Sequence, residues 1–327
     1  MTADDDRWMR YALRLGERAL ATTAENPAVG CVVVKQGRVL GVGCTAAGGR
    51  PHAETQALAM AGAAARGATA YVSLEPCSHY GKTPPCAEAL IAAGIARCVV
   101  AIEDPNPKVS GRGIVMLKAA GIAVDVGTCA EAARLSHRGF FTRIVKNRPY
   151  VILKMALSAD EKIAAGAGQQ TTITGEQVRA RVHLLRAKCD AILVGMNTVR
   201  VDDPALDVRL PGLAQRSPKP YVLGHGPLPA HSKLAARAAE VISTLDLAPM
   251  AKAGINMLLV EGGAATAKAF LDAILVDEIQ LFQSAMRIGA IGVDAWAGSD
   301  MREVLSHFRL THEERLGDDR LNVYVRR

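Results

Sequence analysis

One histidine, one glutamate and two cysteines stand in an order that can hold a catalytic metal. His52-Ala53-Glu54 is followed 25 residues after the histidine by Pro76-Cys77, and then by Cys86. One imidazole and two thiolates give zinc three protein ligands and leave its fourth position open for water, which is typical of a catalytic site. Zinc in such a site lowers the pKa of bound water to about 7. The pattern predicts His52, Cys77 and Cys86 as metal ligands and Glu54 as the acid–base that protonates a leaving amine.

Two simpler interpretations of these residues stay open at the level of sequence. The zinc could be structural, with His79 between the two cysteines as its fourth ligand, although a ligand in so short a loop would crowd the metal. Alternatively, the residues do not meet in space. Because a His-x-Glu with a downstream Pro-Cys and a second cysteine is far more specific than a lone His-x-Glu, the catalytic interpretation is favoured.

Helices and strands are expected to alternate around these residues. Apolar spacing predicts an opening helix, and two Val-rich stretches around Gln36-Gly37 predict a hairpin. An alternation of this kind predicts an α/β fold, here a three-layer sandwich. The expected order is a helix over 8–20, strands over 29–34 and 39–43, a helix over 52–65, a strand over 70–74, a helix from Cys86, a strand over 98–102, a helix and strand within 112–126, and a helical stretch over 130–146.

A second α/β domain is expected after Asn147-Arg148-Pro149, which divides the chain into 1–147 and 148–327. Single hydrophobic cores stop growing near roughly 250–300 residues, so 327 residues favour two domains. Strands are expected over 150–157, 191–194, 221–224, 256–260, 278–282 and 321–325, and helices over 175–188 and 263–273.

Composition narrows the class of protein. The net charge is +7, but the basic residues form no run and aromatic residues make up only 4%, which argues against a nucleic-acid-binding surface. No apolar run reaches the roughly 18 residues needed to cross a bilayer, so no membrane partner is expected. The acidic start at Asp4 does not suit a secretory signal, and the seven cysteines form no disulfide framework. A cytoplasmic location is the simplest expectation.

The metal motif resembles that of the cytidine-deaminase-like superfamily, in which Pro-Cys-x-x-Cys is the usual spacing. Here eight residues separate the cysteines, and the segment 75–86 resembles the deaminase domain of the bifunctional riboflavin-biosynthesis deaminase/reductases, as do 26–30 and 104–107. The resemblance implies a diaminopyrimidinone ribosylamino 5-phosphate as substrate. It implies that Lys82 and Thr83 bind the ribose phosphate and that Asn26 binds the base. A solvated loop lysine and a turn before Pro27 are the simpler interpretations of Lys82 and Asn26.

The second half resembles the reductase of the same family, whose dihydrofolate-reductase-like domain takes hydride from NADPH and opens the ribose to a ribityl chain. The resemblance is carried by 154–158, 190–199, 202–209 and 258–263. Glycines at the start of a helix allow a phosphate to approach backbone N–H groups. Two sets of residues follow from the resemblance: Arg186, Leu206, Arg209 and Glu261 as substrate contacts, and Ala156, Thr198, Asp202 and the turn from Gly263 as NADPH contacts.

The second half also departs from the family's pattern. Gln170-Thr-Thr-Ile-Thr174 stands where the family has Ser-x-Trp-Ile-Thr, so a serine for substrate and a tryptophan for cofactor are absent there. Ala159 and Glu161 replace a leucine and a glycine in a Ser-Leu-Asp-Gly turn, 224–256 is short, and 284–287 lacks a Pro-Lys-like motif. These departures leave NADPH binding in question.

Three functions follow from these observations. The leading prediction is zinc-dependent deamination followed by NADPH-dependent reduction. The second is a deaminase whose other domain serves only structure or assembly, and the departures favour it. The third, a nucleic-acid deaminase, lacks a basic cluster and aromatic stacking residues. The family further suggests a homo-oligomer, either a dimer or a tetramer.

Overall fold

The computed structural model describes residues 2–81, 83–107 and 109–327, and the chain forms two compact units. The first unit contains the residues up to Arg148 together with Met250–Gly254, and the second contains Pro149–Pro249 and Ile255–Arg327. The division expected at residue 147 differs from this one by one residue and by the short segment Met250–Gly254. Within the described residues, no helix is long and apolar enough to cross a membrane.

The first unit has a five-stranded sheet with helices on both faces. Its elements are α1 Ala3–Glu17, β1 Gly30–Lys35, β2 Arg38–Cys44, α2 Ala53–Ala61, β3 Thr69–Val72, α3 Cys86–Ala92, β4 Arg97–Val100, α4 Arg112–Ala119, β5 Ala123–Val126, α5 Ala130–Ser136 and α6 Arg138–Lys146. The strand order is β2-β1-β3-β4-β5, with β1 antiparallel to both neighbours and β3, β4 and β5 parallel. The expected three-layer α/β sandwich is confirmed.

Side chains alternate along these strands between two apolar cores. One core contains Cys31, Val33, Ala70, Val72, Cys98 and Val100 and packs against α2 and α3, while Val32, Val34, Tyr71 and Val99 pack against α1 on the other face. The period of two in side-chain direction produces this division. The Ala-rich face of α2 brings that helix close to the sheet: a Cβ at Gly41 would lie 2.0 Å from the carbonyl oxygen of Ala57.

Most expected elements of the first unit are present, with shifted ends. The helix expected over 52–65 ends at Ala61 and continues as a 3-10 turn over Gly62–Ala65. The helical stretch expected over 130–146 is two helices, because His137 lies between α5 and α6. The opening helix begins five residues earlier than expected, since Thr2 and Asp5 form a capping box at its start.

The elements after Pro149 form an eight-stranded sheet and a two-stranded ribbon. They are β6 Tyr150–Leu157, β7 Lys162–Ala164, α7 Glu176–Arg186, β8 Ala191–Gly195, α8 Met196–Asp202, β9 Lys219–Leu223, α9 Lys233–Ala236, β10 Glu240–Ile242, α10 Ala248–Lys252, β11 Met257–Val260, α11 Ala264–Asp272, β12 Glu278–Gln283, β13 Val293–Asp294, α12 Met301–Ser306, β14 Phe308–Leu316 and β15 Asp319–Arg326. The sheet order is β10-β9-β8-β11-β6-β12-β15-β14, and β7 pairs with β13.

Parallel pairing brings three strand ends to one edge of the larger sheet. β11 lies between β8 and β6 and is parallel to both. In sheets of this kind, ligands bind beyond the carboxyl ends of the strands. The residues expected to contact substrate and cofactor lie in or just after these strands: Ala156 in β6, Thr198 and Asp202 in α8 after β8, and Glu261 and Gly263 after β11.

The interval between Gly224 and Asn256 holds only short elements. α9 has four residues, β10 has three and α10 has five. β10 pairs with β9 through Glu240, Val241 and Ile242 and is an edge strand of the sheet. No strand was expected here from the sequence, because three residues are too few for a recognisable period.

Candidate functional site

Three different elements bring the expected metal ligands together. His52 is the residue before α2, Cys77 lies in the loop after β3, and Cys86 is the first residue of α3. Nδ1 of His52 lies 3.3 Å from Sγ of Cys86 and 3.6 Å from Sγ of Cys77. All three ligand atoms lie within 4.8 Å of one another. The interpretation in which these residues do not meet is therefore wrong.

The donor set fits zinc. Bond lengths of about 2.3 Å to sulfur and about 2.0 Å to nitrogen at tetrahedral angles place the two donors roughly 3.5 Å apart. The two nitrogen–sulfur separations, 3.3 and 3.6 Å, are close to that value. Among the described residues, these three form the one group of potential metal ligands, and His79 is exposed and outside it. The arrangement has three ligands, as an open catalytic site requires.

The surroundings favour a thiolate at Cys77. Hydrogen bonding from the Cys86 thiol, followed by that from His52, lowers the pKa of Cys77 to about 4 against the opposing effect of burial. The backbone N–H of Cys86 also donates to Sγ of Cys77 over 3.3 Å. The same hydrogen bond to Cys77, together with burial, raises the pKa of Cys86. A thiolate is the form of cysteine that binds metal.

Glu54 is buried beside the ligands in the first turn of α2. Its relative exposure is 3%, and burial, then the charge of Cys77, raises its pKa to about 7. A carboxyl group with a pKa near the working pH can both accept and donate a proton. Glu54 therefore has the burial and the proton affinity of a catalytic acid–base.

A second buried glutamate, Glu75, ties the segment before the ligand Cys77 to the segment 104–113. Its carboxylate accepts backbone hydrogen bonds from Asp104 at 3.2 Å, Gly111 at 2.9 Å and Gly113 at 2.9 Å. A side chain at Gly113 would collide with the Pro76 carbonyl oxygen, 2.0 Å from a Cβ there. Sequence reasoning missed the role of Glu75. Its position directly before Pro76-Cys77 was a signal, but its partners lie far along the chain, between Asp104 and the first turn of α4, and no sequence pattern points to them.

The loop between the two cysteines carries the residues expected to bind the ribose phosphate. Thr83 is exposed, and its Oγ1 accepts a hydrogen bond from Nη1 of Arg50. Lys82 lies outside the described residues. Arg50, two residues before His52, was not identified from the sequence as a site residue.

Asn26 lies against the segment that leads into His52. A Cβ at Gly49 would lie 2.0 Å from Nδ2 of Asn26, so only glycine fits there. Nδ2 also donates to the Thr23 carbonyl at 3.4 Å, and Oγ1 of Thr23 donates to the Asn26 carbonyl at 2.7 Å. The turn interpretation and a position near the site are thus both compatible with the structure.

In the second unit, Arg186 and Glu261 form a bidentate ion pair. Nε of Arg186 lies 2.7 Å from Oε1 of Glu261, and Nη2 lies 2.9 Å from Oε2. The two side chains are only 12% and 9% exposed. Burial raises the pKa of Glu261, but the positive charges of Arg186 and Lys154 lower it by more, so the net shift is downward. Glu261 is therefore a carboxylate at neutral pH.

Lys154 belongs to the same cluster of charges but was not singled out from the sequence. It lies in β6, which pairs directly with β11, and its pKa is lowered by burial although the charge of Glu261 opposes that shift. A lysine within a strand that is otherwise apolar was the available signal. Its electrostatic coupling to Glu261 comes from strand register, which sequence alone does not give.

The other expected substrate contacts are placed differently. Arg209 has a side chain that is 69% exposed, and its Nε lies 3.4 Å from Oδ1 of Asp207. Leu206 is 3% exposed and packs in the core with Ile192 and Leu259. Its φ of +52° puts it in the left-handed region. A contact between Leu206 and a substrate would therefore use its backbone, since its side chain belongs to the core.

The start of α11 has the backbone geometry of an anion site. Gly263 precedes the helix without a side-chain cap, and a Cβ there would meet no atom within 4 Å. Gly195, at the end of β8, approaches the same helix so closely that a Cβ would lie 2.5 Å from Oγ1 of Thr266. An open helix N-terminus favours a phosphate. These residues fit the phosphate end of a dinucleotide.

Family models match both units. The cytidine and deoxycytidylate deaminase zinc-binding region matches residues 2–102, and the RibD C-terminal domain matches residues 149–321. The first match contains His52, Glu54, Cys77 and Cys86, and the second contains Arg186 and Glu261.

Individual relatives agree with these models. The riboflavin biosynthesis protein RibD of Aquifex aeolicus is 50% identical over 205 residues, 63% of this chain, and the aligned part spans 58% of that relative's length. The structure of Acinetobacter baumannii RibD is 36% identical, covers 99% of both chains and has a TM-score of 0.90. A Thermotoga maritima structure, named as a diaminohydroxyphosphoribosylaminopyrimidine deaminase/5-amino-6-(5-phosphoribosylamino)uracil reductase, is 31% identical over 99% of both chains with a TM-score of 0.88.

Proposed function

The chain belongs to the RibD family of riboflavin biosynthesis proteins, and on that basis we propose that it catalyses two consecutive steps. The first is hydrolytic deamination of a diaminopyrimidinone ribosylamino 5-phosphate in the first unit. The second is NADPH-dependent reduction of the ribosyl group to ribityl in the second unit. The observation that carries the proposal is the buried Glu54 beside three grouped metal ligands.

In the deaminase half, His52, Cys77 and Cys86 would hold zinc, which would act as a Lewis acid and activate water at neutral pH. Glu54 takes a proton from the attacking water and returns one to the exocyclic amine, which leaves as ammonia. Its burial supports this role, because a carboxyl with a pKa of about 7 exchanges protons readily at neutral pH. Asn26 holds the base, and Lys82 and Thr83 bind the ribose phosphate.

In the reductase half, the buried charges of Arg186 and Glu261 bind and orient the ribosylamino group. Arg209 and the backbone of Leu206 complete the substrate site. Ala156, Thr198, Asp202 and the turn from Gly263 would hold NADPH, which would supply the hydride. A second candidate function, deamination alone, is favoured by the short elements between Gly224 and Asn256 and by the missing tryptophan near Gln170.

A single assay distinguishes the two candidate functions. The zinc-loaded protein receives the aminated pyrimidine phosphate and NADPH, while ammonia and NADPH absorbance are followed together. Substrate-dependent loss of both the amine and NADPH supports the two-step function. Ammonia release with constant NADPH leaves the deaminase alone, and NADPH loss without ammonia release contradicts the order of steps.

Glu54→Gln tests the assigned acid–base. We expect full zinc content and a loss of ammonia release by at least 100-fold, the low end of the usual range of about 10²–10⁴ for acid–base groups. Glu131→Gln is the matched control, because Glu131 is 92% exposed in the same unit. Retained deamination in Glu54→Gln would remove Glu54 from the mechanism. Lys82→Ala should mainly raise the KM.

The ligand of the protein is a phosphorylated pyrimidine rather than nucleic acid or a membrane. The basic residues of the chain support this, because they form no cluster. We further propose a homo-oligomer, a dimer or tetramer, which light scattering would measure directly. The seven cysteines are free thiols, and a reduced cytoplasm would keep the ligands Cys77 and Cys86 able to bind zinc.

A further inference from the structure

Arg50 reaches from the segment before the first metal ligand to the loop between the other two. It stands two residues before His52, and its Nη1 donates a hydrogen bond to Oγ1 of Thr83. Its Nη2 lies over Gly81, where a Cβ would be only 3.1 Å away. The guanidinium is thereby held at one position on the inter-cysteine loop.

The charge of Arg50 has no acidic partner within the described part of the chain, since none of the ion pairs there includes it. The side chain is half-buried rather than extended into solvent. A fixed arginine normally pairs with an anion, because its planar group offers five N–H donors. One donor is used by Thr83, and the other donors have no acceptor among the described residues, so they are available to a ligand.

Thr83 is arranged by the same contact. Its oxygen accepts from Arg50, so its own hydroxyl hydrogen is free to donate elsewhere. A cation and a hydroxyl donor are thus held together where the segment before His52 meets the loop between Cys77 and Cys86. Such a pair matches the needs of a phosphate monoester.

We propose that Arg50 binds the 5-phosphate of the deaminase substrate and makes the first unit selective for the phosphorylated over the dephosphorylated pyrimidine. This inference rests on the proposed deaminase function and adds a residue that the family resemblance does not supply. Arg50 binds and orients the substrate, while Glu54 remains the group that moves protons.

The test compares two substrates, the 5-phosphate and its dephosphorylated form, by ammonia release. Arg50→Ala should raise the KM for the phosphate about 10- to 100-fold, the size of one or two charge-assisted hydrogen bonds, and leave the KM for the dephosphorylated form unchanged. Arg50→Lys should recover part of the loss. Arg38→Ala, which removes the same charge at the other end of β2, should change neither value.

Other results would overturn the proposal. If Arg50→Ala changed the KM equally for both substrates, Arg50 would only hold Thr83 in place. The same conclusion would follow if Arg50→Ala lowered the zinc content and the unfolding midpoint and Arg50→Lys did not restore them. An unchanged KM for the phosphate in Arg50→Ala would also refute it. If the protein were not a deaminase at all, the unmodified protein would release ammonia from neither substrate. That result is distinct from every outcome that concerns Arg50 alone.

Discussion

His137 makes the stability of the first unit depend on pH. It lies between α5 and α6 with 2% exposure, and its Nε2 is 3.0 Å from the carbonyl oxygen of Ser73. Its Nδ1 is buried and has no hydrogen-bond partner among the described residues. Burial lowers the pKa of His137 to about 4, from an ordinary value of 6.5. The folded unit therefore holds this histidine neutral.

The sign and size of the effect follow from linkage. The unfolded chain takes up the proton near pH 6.5 and the folded unit only near pH 4, so stability falls as the pH falls between these values and levels off below pH 4. One pKa unit corresponds to about 1.4 kcal/mol, so the full loss is about 3 kcal/mol, of which about 2 kcal/mol falls between pH 7 and pH 5.

Replacement of His137 by glutamine should remove this loss, since the amide can still donate to Ser73 but does not titrate. Trp8 is buried in the first unit and Trp296 in the second, so a Trp296→Phe background makes fluorescence report the first unit alone. Urea unfolding of the zinc-loaded protein at pH 7, 6 and 5 then gives the pH dependence of both versions.

The measured quantity is the difference in pH dependence between the two proteins, because protonation of the metal ligands affects both alike. Between pH 7 and pH 5, the free energy of unfolding should fall by about 2 kcal/mol less in the His137→Gln variant than in the protein that retains His137. His312→Gln, the same change in the second unit, should have no effect on the first. If the free energy of unfolding depended on pH equally in the two proteins, His137 would not be held neutral by burial.

Three further predictions concern other residues. Glu161 has a φ of +61°, so Glu161→Gly should relieve left-handed strain and raise the free energy of unfolding of the second unit by about 0.5–1 kcal/mol; a lower unfolding midpoint would contradict this. Glu261→Ala should destabilise that unit by about 3–5 kcal/mol because it leaves Arg186 buried and unpaired, and double substitution with Arg186→Met should recover most of the loss in urea unfolding. Glu75→Ala should raise the KM for deamination while zinc content, measured by atomic absorption, stays at one per chain; loss of zinc would instead make Glu75 a support of Cys77.

The metal ligands could be foreseen because the motif that carries them, His-x-Glu followed by Pro-Cys and a second cysteine, is specific for a zinc site. Local structure alone does not bring them together, since His52 and Cys86 are 34 residues apart and stand at the starts of two different helices. The nearly continuous apolar runs of β1 and β3 likewise indicate strands that are covered on both faces, since successive side chains point to opposite cores. Local patterns and motif spacing therefore account for the fold class and the metal centre.

Contacts between distant segments could not be foreseen in the same way. Arg50 meets Thr83 across 33 residues, and Glu75 accepts hydrogen bonds from Gly111 and Gly113, 36 and 38 residues away. Lys154 joins Glu261 only because β6 and β11 pair in one register. Such pairings depend on the packing of whole elements, and a single sequence carries no signal for them.

Two of the departures that the family resemblance implies lie side by side in the second unit. The turn with Ala159 and Glu161 hydrogen-bonds directly to the loop that lacks the Pro-Lys-like motif: the Ala159 N–H donates to the Met286 carbonyl at 2.7 Å, and Asp160 accepts from the Gly289 N–H at 2.7 Å. The two segments therefore form one corner of the second unit, which the resemblance marks as altered.

The buried pair of Arg186 and Glu261 argues that this altered corner did not end ligand binding. A buried ion pair gives little net stability, because desolvation of two charges offsets their attraction, and apolar residues of similar volume are often as good. A domain kept only for structure would gain nothing from holding the charges of Lys154, Arg186 and Glu261 together around the carboxyl end of β11. Binding of a polar substrate would account for all three charges, and this favours the two-step function over deamination alone.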